Sequence, residues 1–484
     1  MNKSSLMVLL RVFDKKQLKE FSDFVRSPFF NKNKAVIRLF DYIKTLYPGY
    51  DPVKLDKENV YKAAFGKSEY HPIFMRVLMS KLHALAEDYL IHKSLEGDRT
   101  GRQNYLIESL SAMNELVLAR KIVRNEIKQL ETFNPAKADD YLKMYQLMYH
   151  KTNLFSQQFS ITRMNRPGGN FDNDQKYLIC YFLLKILDDY TYYLSLNNIV
   201  NYKPKLDFMN GITFFLKENN DYLEIPAIKI QYLNAMLMIE KNIKHLFELK
   251  TALYSLYPVM QKQEVYSTIS TILNFCHNSY MLTNDEQFLN EKHEINLFAL
   301  EKNFVTGNEE DTGIGFARYY NILVSFFEVS KFDEAEEFIS NYGAKLPEEA
   351  QNFWINFSYA SLQCYRHDQD SALEYLTKIR RLNNSMEKLN FKGLELKVFY
   401  EAGMIEQAET ALDAFMHLIQ KEKLLSELNK EIFRKYCYYY KKLLLLNFEK
   451  KSTNPVSLLK ELAKTPNVMQ KNWLIKKIKE TETK

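Results

Sequence analysis

The sequence predicts an all-α protein, a right-handed superhelix of antiparallel helical hairpins that follows an N-terminal four-helix domain. Three observations predict this fold. Apolar residues recur at helical spacing along nearly the whole chain. Only 13 glycines and 12 prolines interrupt 484 residues, which favours long helices with short connections over sheets with many turns. The last third also contains a repeat, in which Ala335, Ala372 and Ala408 occupy equivalent positions of three similar segments.

The first 97 residues are predicted to form the four-helix domain, because four apolar stripes at helical spacing lie between turn signals. The predicted helices cover about 6–26, 35–47, 57–65 and 72–93. Pro48 and Gly49 end the second helix, and Gly66 ends the third. The polar segment 97–101 closes the domain.

Residues 27–34 connect the first two predicted helices and contain two adjacent phenylalanines. Pro28 disfavours helical geometry in the residue before it, so the first helix is expected to end there. With one of the following asparagines as N-cap, Phe30 can pack against the first turn of the next helix. We expect Phe29 to pack on the apolar stripe of the first helix. The alternative is an exposed tip that binds a partner.

Beyond residue 101 the predicted helices come in pairs joined by short connections. They cover about 103–132, 139–159, 173–197, 204–219, 226–240, 242–257, 262–282, 284–305, 313–329, 332–342, 348–366, 369–381, 385–402, 405–420, 424–449, 454–464 and 468–480. The predicted domains after 1–97 are a helical-hairpin region at 102–225, helical repeats at 226–465 and a basic C-terminal capping helix at 466–484. The most loop-like stretch runs from Ser160 to Asp174, and its role stays open.

The three aligned segments resemble the tetratricopeptide repeat. The first unit matches best, with Tyr319, Ile322, Leu323 and Phe326 on its first helix, Phe332 and Ala335 on its second, and Pro347 at its end. The spacing of the alanines exceeds the usual repeat length of about 34 residues, and His367 stands where a glycine is common. The resemblance covers about 313–420 and implies a stacked helical fold with a partner-binding groove. Separately, the segment 27–31 resembles segments of uncharacterised helical proteins of Bacteroidota, which implies no activity.

Motifs for catalysis, cofactors and metals are missing from the sequence. Gly313 and Gly315 lack the third glycine of a dinucleotide-binding loop, and His293 with the following glutamate lacks the second histidine of a zinc protease motif. No Gly-x-Ser-x-Gly elbow is present. We therefore expect no enzyme, no catalytic residue, no cofactor and no metal.

The cysteines and the apolar runs bear on the compartment. The four cysteines, at positions 180, 276, 364 and 437, are far apart and lie in apolar helical stretches, so they are expected to be buried free thiols of a reducing compartment. No apolar run approaches the ~20 residues that span a bilayer. These features predict a cytoplasmic protein without membrane insertion.

The first functional hypothesis is a non-enzymatic protein-interaction scaffold or adaptor that binds a protein or peptide through the groove of the helical repeats. Residues 131–420 carry 27 basic against 38 acidic side chains, which suits a basic partner. Several of the candidate groove residues are expected to belong to the core instead. The candidates are Tyr319, Tyr320, Asn321, Phe353, Asn356, Tyr359, Lys392, Glu395 and Tyr400.

The alternative hypothesis is a nucleic-acid-binding regulator that uses the basic N-terminal domain. Residues 1–130 carry 23 basic against 15 acidic side chains, and residues 421–484 carry 16 against 7. The short helices of the N-terminal domain can imitate a helix-turn-helix, although its last helix is long and apolar for a reading helix. The candidate phosphate contacts are Lys54, Lys57, Lys62, Lys67, Arg76 and Lys81.

Overall fold

The computed structural model describes residues 1–66, 69–130, 135, 137–156, 172–200, 205–306, 313–380, 382, 384–422, 427–449 and 454–482. Within these residues every regular element is a helix and no β-strand is present, so the all-α prediction is confirmed. In the same part of the chain, none of the helices combines the length and the apolar character needed to cross a bilayer. The predicted loop between Ser160 and Asp174 falls largely outside the described residues.

The chain divides into two compact units, residues 1–135 with 139–181, and residues 136–138 with 182–484. The first unit contains α1 (Ser5–Arg11), α2 (Lys15–Arg26), α3 (Lys34–Thr45), α4 (Lys57–Phe65), α5 (Pro72–Gly97), α6 (Arg99–Ala112), α7 (Leu116–Leu130), α8 (Ala138–Ser156) and the start of α9 (Asp172–Val200). The second contains the rest of α9, then α10 (Met209–Glu218), α11 (Pro226–Glu240), α12 (Ile243–Leu256), α13 (Lys262–Thr283), α14 (Gln287–Glu301), α15 (Phe316–Glu328), α16 (Phe332–Tyr342), α17 (Glu348–Tyr365), α18 (Gln369–Thr377), α19 (Ser385–Glu401), α20 (Ile405–Lys421), α21 (Glu427–Leu444), α22 (Pro455–Lys464) and α23 (Lys471–Glu482).

The N-terminal domain has five helices, not four. The predicted helix at 6–26 is interrupted because Asp14 starts a new helix with a capping box. Its carboxylate accepts the backbone N–H of Gln17 at 2.7 Å, and the Gln17 side chain accepts the backbone N–H of Asp14 at 2.9 Å. Phe13, in the break, turns into the core and packs edge-on against Phe21 and Tyr89, each at 5.6 Å between ring centroids. Helices α1, α2 and α3 all pack on α5.

The predicted helix at 103–132 is likewise two helices, α6 and α7. Asn114 adopts a left-handed backbone conformation with φ of 60°, which asparagine tolerates and which ends a helix. The N–H of Glu115 closes the turn on the carbonyl of Leu110 at 2.8 Å. The start of α6 is also earlier than predicted, since the carboxylate of Asp98 accepts the N–H of Gly101 at 3.1 Å as an N-cap.

The corner between α2 and α3 is held by a buried asparagine. Asn31 donates its side-chain amide to the carbonyls of Val25, at 2.8 Å, and Asn33, at 3.3 Å, and accepts the N–H of Asn33 at 2.9 Å. Asn33 is the N-cap of α3 and accepts the N–H of Ala35 at 2.9 Å. The corner therefore depends on one side chain that satisfies three backbone groups.

Of the two phenylalanines of this corner, Phe30 packs against α2 and Phe29 is exposed to solvent. Phe30 stacks on Phe24 of α2, with ring centroids 3.9 Å apart, and meets the ring of His92 at 4.8 Å. Phe29 leaves 86% of its surface exposed, and its ring contact is with Phe30. The expectation that Phe29 packs on the first helix is wrong, because Phe30 occupies the position against α2.

Replacing Asn31 by alanine is expected to lower the free energy of unfolding by about 1–3 kcal/mol, because buried backbone groups lose their hydrogen-bond partner. Urea titration followed by circular dichroism measures this. Its exposed neighbour Lys32 is the matched control, and Lys32→Ala is expected to change stability by less than about 0.5 kcal/mol. Equal effects of the two substitutions would show that Asn31 does not hold the corner.

A buried tyrosine predicts how the first unit responds to alkaline pH. Tyr50 is 3% exposed and donates its hydroxyl to the carbonyl of Leu10 at 3.3 Å. Burial raises the pKa of Tyr50 to about 12. The unfolded phenol ionises near pH 10 while the folded one stays neutral, so stability is expected to fall as the pH rises from about 10 to 12. In thermal melts at pH 9 and 11, Tyr50→Phe should reduce this loss, and an unchanged pH dependence contradicts the assignment.

In the second unit, helices pack on their chain neighbours and also on the second helix along. Thus α11 contacts α12 and α13, α15 contacts α16 and α17, and α17 contacts α18 and α19. The three aligned alanines, Ala335, Ala372 and Ala408, are all fully buried. A methyl side chain lets helix backbones approach closely, which explains the alanine signature in the sequence.

Candidate partner-binding surface

Four helices of the second unit, α13, α15, α17 and α19, contribute one group of aromatic and charged side chains. We call it the polar aromatic cluster, defined as Tyr280, Tyr320, Tyr365, Lys397 and Glu401. Burial raises the pKa of Tyr365, and the nearby carboxylate of Glu328 on α15 raises it further. Burial likewise raises the pKa of Tyr320, with smaller effects from Tyr365 and Glu328. These phenols therefore stay neutral at physiological pH.

Lys397 is the most unusual member of the cluster. It is 5% exposed, and its Nζ lies 3.7 Å from the centroid of the Tyr365 ring, a cation–π contact. Burial lowers the pKa of Lys397, since removal from water disfavours the ammonium. No carboxylate of the described chain lies within ion-pair distance of it. The side-chain amine of Lys397 thus rests against an aromatic face.

Glu401 lies one helical turn beyond Lys397 but binds α23 instead. Its carboxylate accepts the indole N–H of Trp473 at 2.7 Å and pairs with Lys477 at 2.8 Å. The side chains of Glu401 and Lys477 are each 11% exposed, so this ion pair is largely shielded from water. The outcome is a nearly buried link between α19 and the C-terminal helix.

The same helix α23 also contacts one further member of the cluster, Tyr280, and two tyrosines outside it, Tyr400 and Tyr440. Asn472 donates a hydrogen bond to the hydroxyl of Tyr280 on α13, 192 positions away in sequence. The Trp473 ring meets Tyr400 edge-on at 5.4 Å and stacks near Tyr440 at 6.1 Å. The predicted C-terminal helix is therefore present, and it lies against the polar aromatic cluster.

Two of the predicted groove residues belong to the core. Tyr319 is fully buried and packs on Phe338 with ring centroids 5.0 Å apart. Phe353 is 1% exposed and stacks on Phe357 at 5.3 Å. Their assignment to a groove is corrected, because neither ring can reach a partner while the helices remain packed.

The other predicted groove residues are distributed over several surfaces. Tyr320 belongs to the polar aromatic cluster, and Tyr400 lies beside it under Trp473. Tyr359 stacks on Tyr375 with ring centroids 5.1 Å apart, so it faces α18. Of the rest, Asn321 is exposed, Asn356 donates to the carbonyl of Asn352 at 2.7 Å, and Lys392 pairs with Glu395.

Sequence reasoning missed Tyr280, Tyr365, Lys397 and Glu401. One signal was available, because Lys397 interrupts an apolar run between Leu396 and Val398. A lysine inside such a run is either snorkelling or specifically partnered. The partner on α17 could not be read from the sequence, since the contact joins residues of two separate helices, α17 and α19.

The predicted nucleic-acid contacts in the described part of the chain are all exposed. They are Lys54, Lys57, Lys62, Arg76 and Lys81, and Lys67 lies outside the described residues. Arg76 and Lys81 are on the solvent side of α5, whose opposite side contributes Met75, Leu78 and Leu82 to the core. Only the solvent-facing side of α5, which carries Arg76 and Lys81, is therefore accessible to a ligand.

The described residues contain no group of three or more His, Cys, Asp or Glu side chains arranged for a metal ion. Burial raises the pKa of the Cys276 thiol to about 12, that of Cys364 to about 11 and that of Cys437 to about 12. These thiols are buried and neutral, which is unsuited to nucleophilic chemistry. The polar aromatic cluster itself consists of aromatic rings, phenol hydroxyls, one buried lysine and one carboxylate.

No protein-family model, curated protein or solved structure matches the chain.

Proposed function

We propose that this protein is a non-enzymatic scaffold or adaptor that binds a protein partner at the polar aromatic cluster. The observation that carries the proposal is the packing of α23 against the cluster, because it shows that this surface can bind a helix. Trp473, Lys477 and Asn472 supply an indole, an ammonium and an amide to it. Aromatic rings with polar tips are the groups that protein interfaces use as anchors.

The fold that we propose around this surface is a tetratricopeptide-like right-handed superhelix of antiparallel hairpins. It is supported by the contacts between every second helix, such as α15 with α17 and α17 with α19, and by the buried alanines at repeat positions. In a stacked array of this kind the first helices form one continuous surface. Tyr320, Tyr365 and Lys397 would lie on that surface, beside α23.

The partner that fits this surface best is a basic helical segment. Glu401 pairs with a lysine of α23, and Glu328 lies close to Tyr280 and Tyr365. Both acids are already paired, Glu401 with Lys477 and Glu328 with Lys292 at 2.7 Å. A basic partner helix beside α23 would compete for Glu328 and cover the edge of Tyr365, which is 38% exposed. We propose a cytoplasmic location for the complex and no membrane insertion.

Site-specific photocrosslinking tests the proposal in cells that make the protein. A photoreactive phenylalanine derivative at position 365 is expected to capture a protein. Position 247 is the matched control, because Phe247 on α12 is 39% exposed, close to the 38% of Tyr365. No adduct at position 365, or the same adducts at both positions, contradicts a partner surface at the cluster.

The alternative function, a nucleic-acid-binding regulator, is favoured by one observation. Lys54, Lys57, Lys62, Arg76 and Lys81 are exposed and form no ion pair with the described carboxylates. Phosphate contacts of this kind weaken steeply with salt, so an electrophoretic mobility shift is expected at ~50 mM salt and should be lost near ~200 mM. No shift at ~50 mM excludes this function.

A further inference from the structure

The corner between α2 and α3 borders a cleft on the first unit. We call it the corner cleft, and it is lined by residues 30–35 on one side and by Lys81, Ala84, Leu85 and Asp88 of α5 on the other. Phe29 stands next to the cleft, edge-on to Phe30 at 5.0 Å between ring centroids. The Phe29 ring is 86% exposed, so it does not belong to the core. Buried Asn31 fixes the corner, which holds this ring in solvent at a defined position.

The side of α5 that lines the cleft continues as an apolar stripe in solvent. We call it the α5 stripe, and it comprises Ile73, Val77, Ala84 and Ile91, which recur at helical spacing on one face. Ile73 is 66% exposed, Val77 45% and Ile91 57%, although the opposite face of the same helix is the centre of the core. The stripe runs from Ile73 to Ile91, 18 residue steps or about 27 Å of helix. That length matches a helix of four to five turns lying alongside.

The charges around the cleft are mainly positive. Lys32, Lys34 and Lys81 are exposed and take part in no ion pair with the described carboxylates. Asp88 is the one acidic residue that lines the cleft. Near Ala84, where the stripe meets the cleft, these unpaired lysines lie beside apolar surface, while Glu87 and Asp88 follow toward Ile91. The lysine-bordered end is complementary to a helix with an apolar face and acidic flanks.

We propose that the corner cleft and the α5 stripe together dock an acidic amphipathic helix of a protein partner. The apolar face of the partner would cover Ile73, Val77 and Ala84, and its acidic flank would meet Lys32, Lys34 and Lys81. Phe29 would anchor the end of the partner helix, since an exposed ring of this size contributes most when it becomes buried at an interface. This site is separate in sequence and chemistry from the polar aromatic cluster and does not depend on the function proposed for it.

The chemistry of the surface favours a protein over a nucleic acid. A phosphate backbone would use the lysines but would leave Ile73, Val77 and Ile91 in water, because they contribute nothing to binding a polyanion. An acidic amphipathic helix would contact both the lysines and the apolar stripe. The apolar stripe is therefore the feature that discriminates between the two classes of partner.

Fluorescence anisotropy with the full-length protein tests the proposal. The probe is a fluorescein-labelled 18-residue peptide with leucines at positions i, i+3, i+4 and i+7 and glutamates on its flanks, and a second peptide has lysines in place of the glutamates. The acidic peptide is expected to bind, and the lysine peptide is not. Phe29→Ala should weaken binding at least about tenfold. Lys32→Glu combined with Lys81→Glu should weaken it as well, and wild-type binding should fall as salt is raised.

Controls separate binding from folding. Phe29→Ala is expected to melt at the wild-type temperature, because the ring is exposed, so lost binding cannot come from unfolding. Tyr105→Ala is the matched control, since Tyr105 on α6 is 62% exposed and lies outside the cleft and the stripe. It should leave the affinity unchanged.

Several results overturn the proposal. They are no binding of the acidic peptide up to about 1 mM, equal binding of the lysine peptide, and full binding by Phe29→Ala. Fluorescein-labelled polyuridylate that binds the wild type and is released by the same substitutions would make this a nucleic-acid surface instead. Because the crosslinking experiment at position 365 concerns a different surface, failure here leaves that result standing.

Discussion

Replacing Trp354 by alanine is expected to lower the free energy of unfolding by about 3–5 kcal/mol, the usual cost of truncating a large buried aromatic side chain. Trp354 on α17 is 2% exposed. Its ring stacks on Phe316 at 5.7 Å and supports Tyr320 at 5.4 Å. The cavity would therefore open directly under a member of the polar aromatic cluster. Urea titration followed by circular dichroism measures the loss.

Trp354→Phe separates packing from hydrogen bonding at this position. The indole N–H of Trp354 is buried and has no hydrogen-bond partner among the described residues. Phenylalanine keeps most of the apolar volume and removes a donor that is unsatisfied, so its cost should be clearly smaller than that of alanine. Equal losses for the two variants would show that the N–H makes an essential bond, and the packing explanation would fail.

Replacing Glu401 by alanine is expected to destabilise the attachment of α23 by about 1–3 kcal/mol, because the Trp473 indole is left without its acceptor and Lys477 keeps only its ion pair with the more exposed Glu480 at 3.0 Å. Lys477 loses its 2.8 Å ion pair and the Trp473 indole loses its acceptor. Hydrogen exchange measured by mass spectrometry should show faster exchange in 471–482. Exchange in α1–α5 of the first unit should be unchanged.

Two variants control for this result. Glu401→Ala combined with Lys477→Met should recover part of the stability, since the ammonium that has lost its shielded partner is removed as well. Glu374→Ala removes an exposed i,i+4 pair with Lys378 and should change stability by less than about 1 kcal/mol. If protection of α23 survives Glu401→Ala, the carboxylate is not what holds the C-terminal helix.

These two predictions bear on function as well as stability. If a partner helix binds beside α23, Glu401→Ala should disturb the partner surface through α23, while Trp354→Ala should disturb it through Tyr320. Photocrosslinking at position 365 in both variants measures the effect on partner capture. The shared readout tests whether α17, α19 and α23 act as one recognition surface.

Neighbouring residues in the sequence show where prediction of the site failed. Tyr319 and Tyr320 are adjacent on α15, so their side chains leave the helix about 100° apart. Tyr319 packs on Phe338 of α16, while Tyr320 packs on Trp354 of α17. Periodicity identifies an apolar face, but both tyrosines are compatible with its edge. Only the position of the neighbouring helices decides which ring is core.

The helix boundaries were predictable where strong local signals exist. The ends of α16, α17 and α19 lie within a residue of the predicted ends, because Pro347, Gly403 and the apolar periodicity are local features. The predictions failed at 12–14 and 113–115, where the helix is broken within a continuous periodic pattern. Asp14 and Asn114 carry those breaks, and either residue is also tolerated within a helix.

The sequence by itself determined the all-α class, the approximate bounds of most helices and the burial of Ala335, Ala372 and Ala408. Each of these depends on spacing along the chain, which periodicity and capping record directly. The tertiary structure alone decided that Phe29 is exposed, that Lys397 faces the ring of Tyr365, and that Asn472 bonds Tyr280 across 192 positions. These features arise from packing between helices that are distant in sequence, and no local pattern encodes which side of one helix meets which side of another.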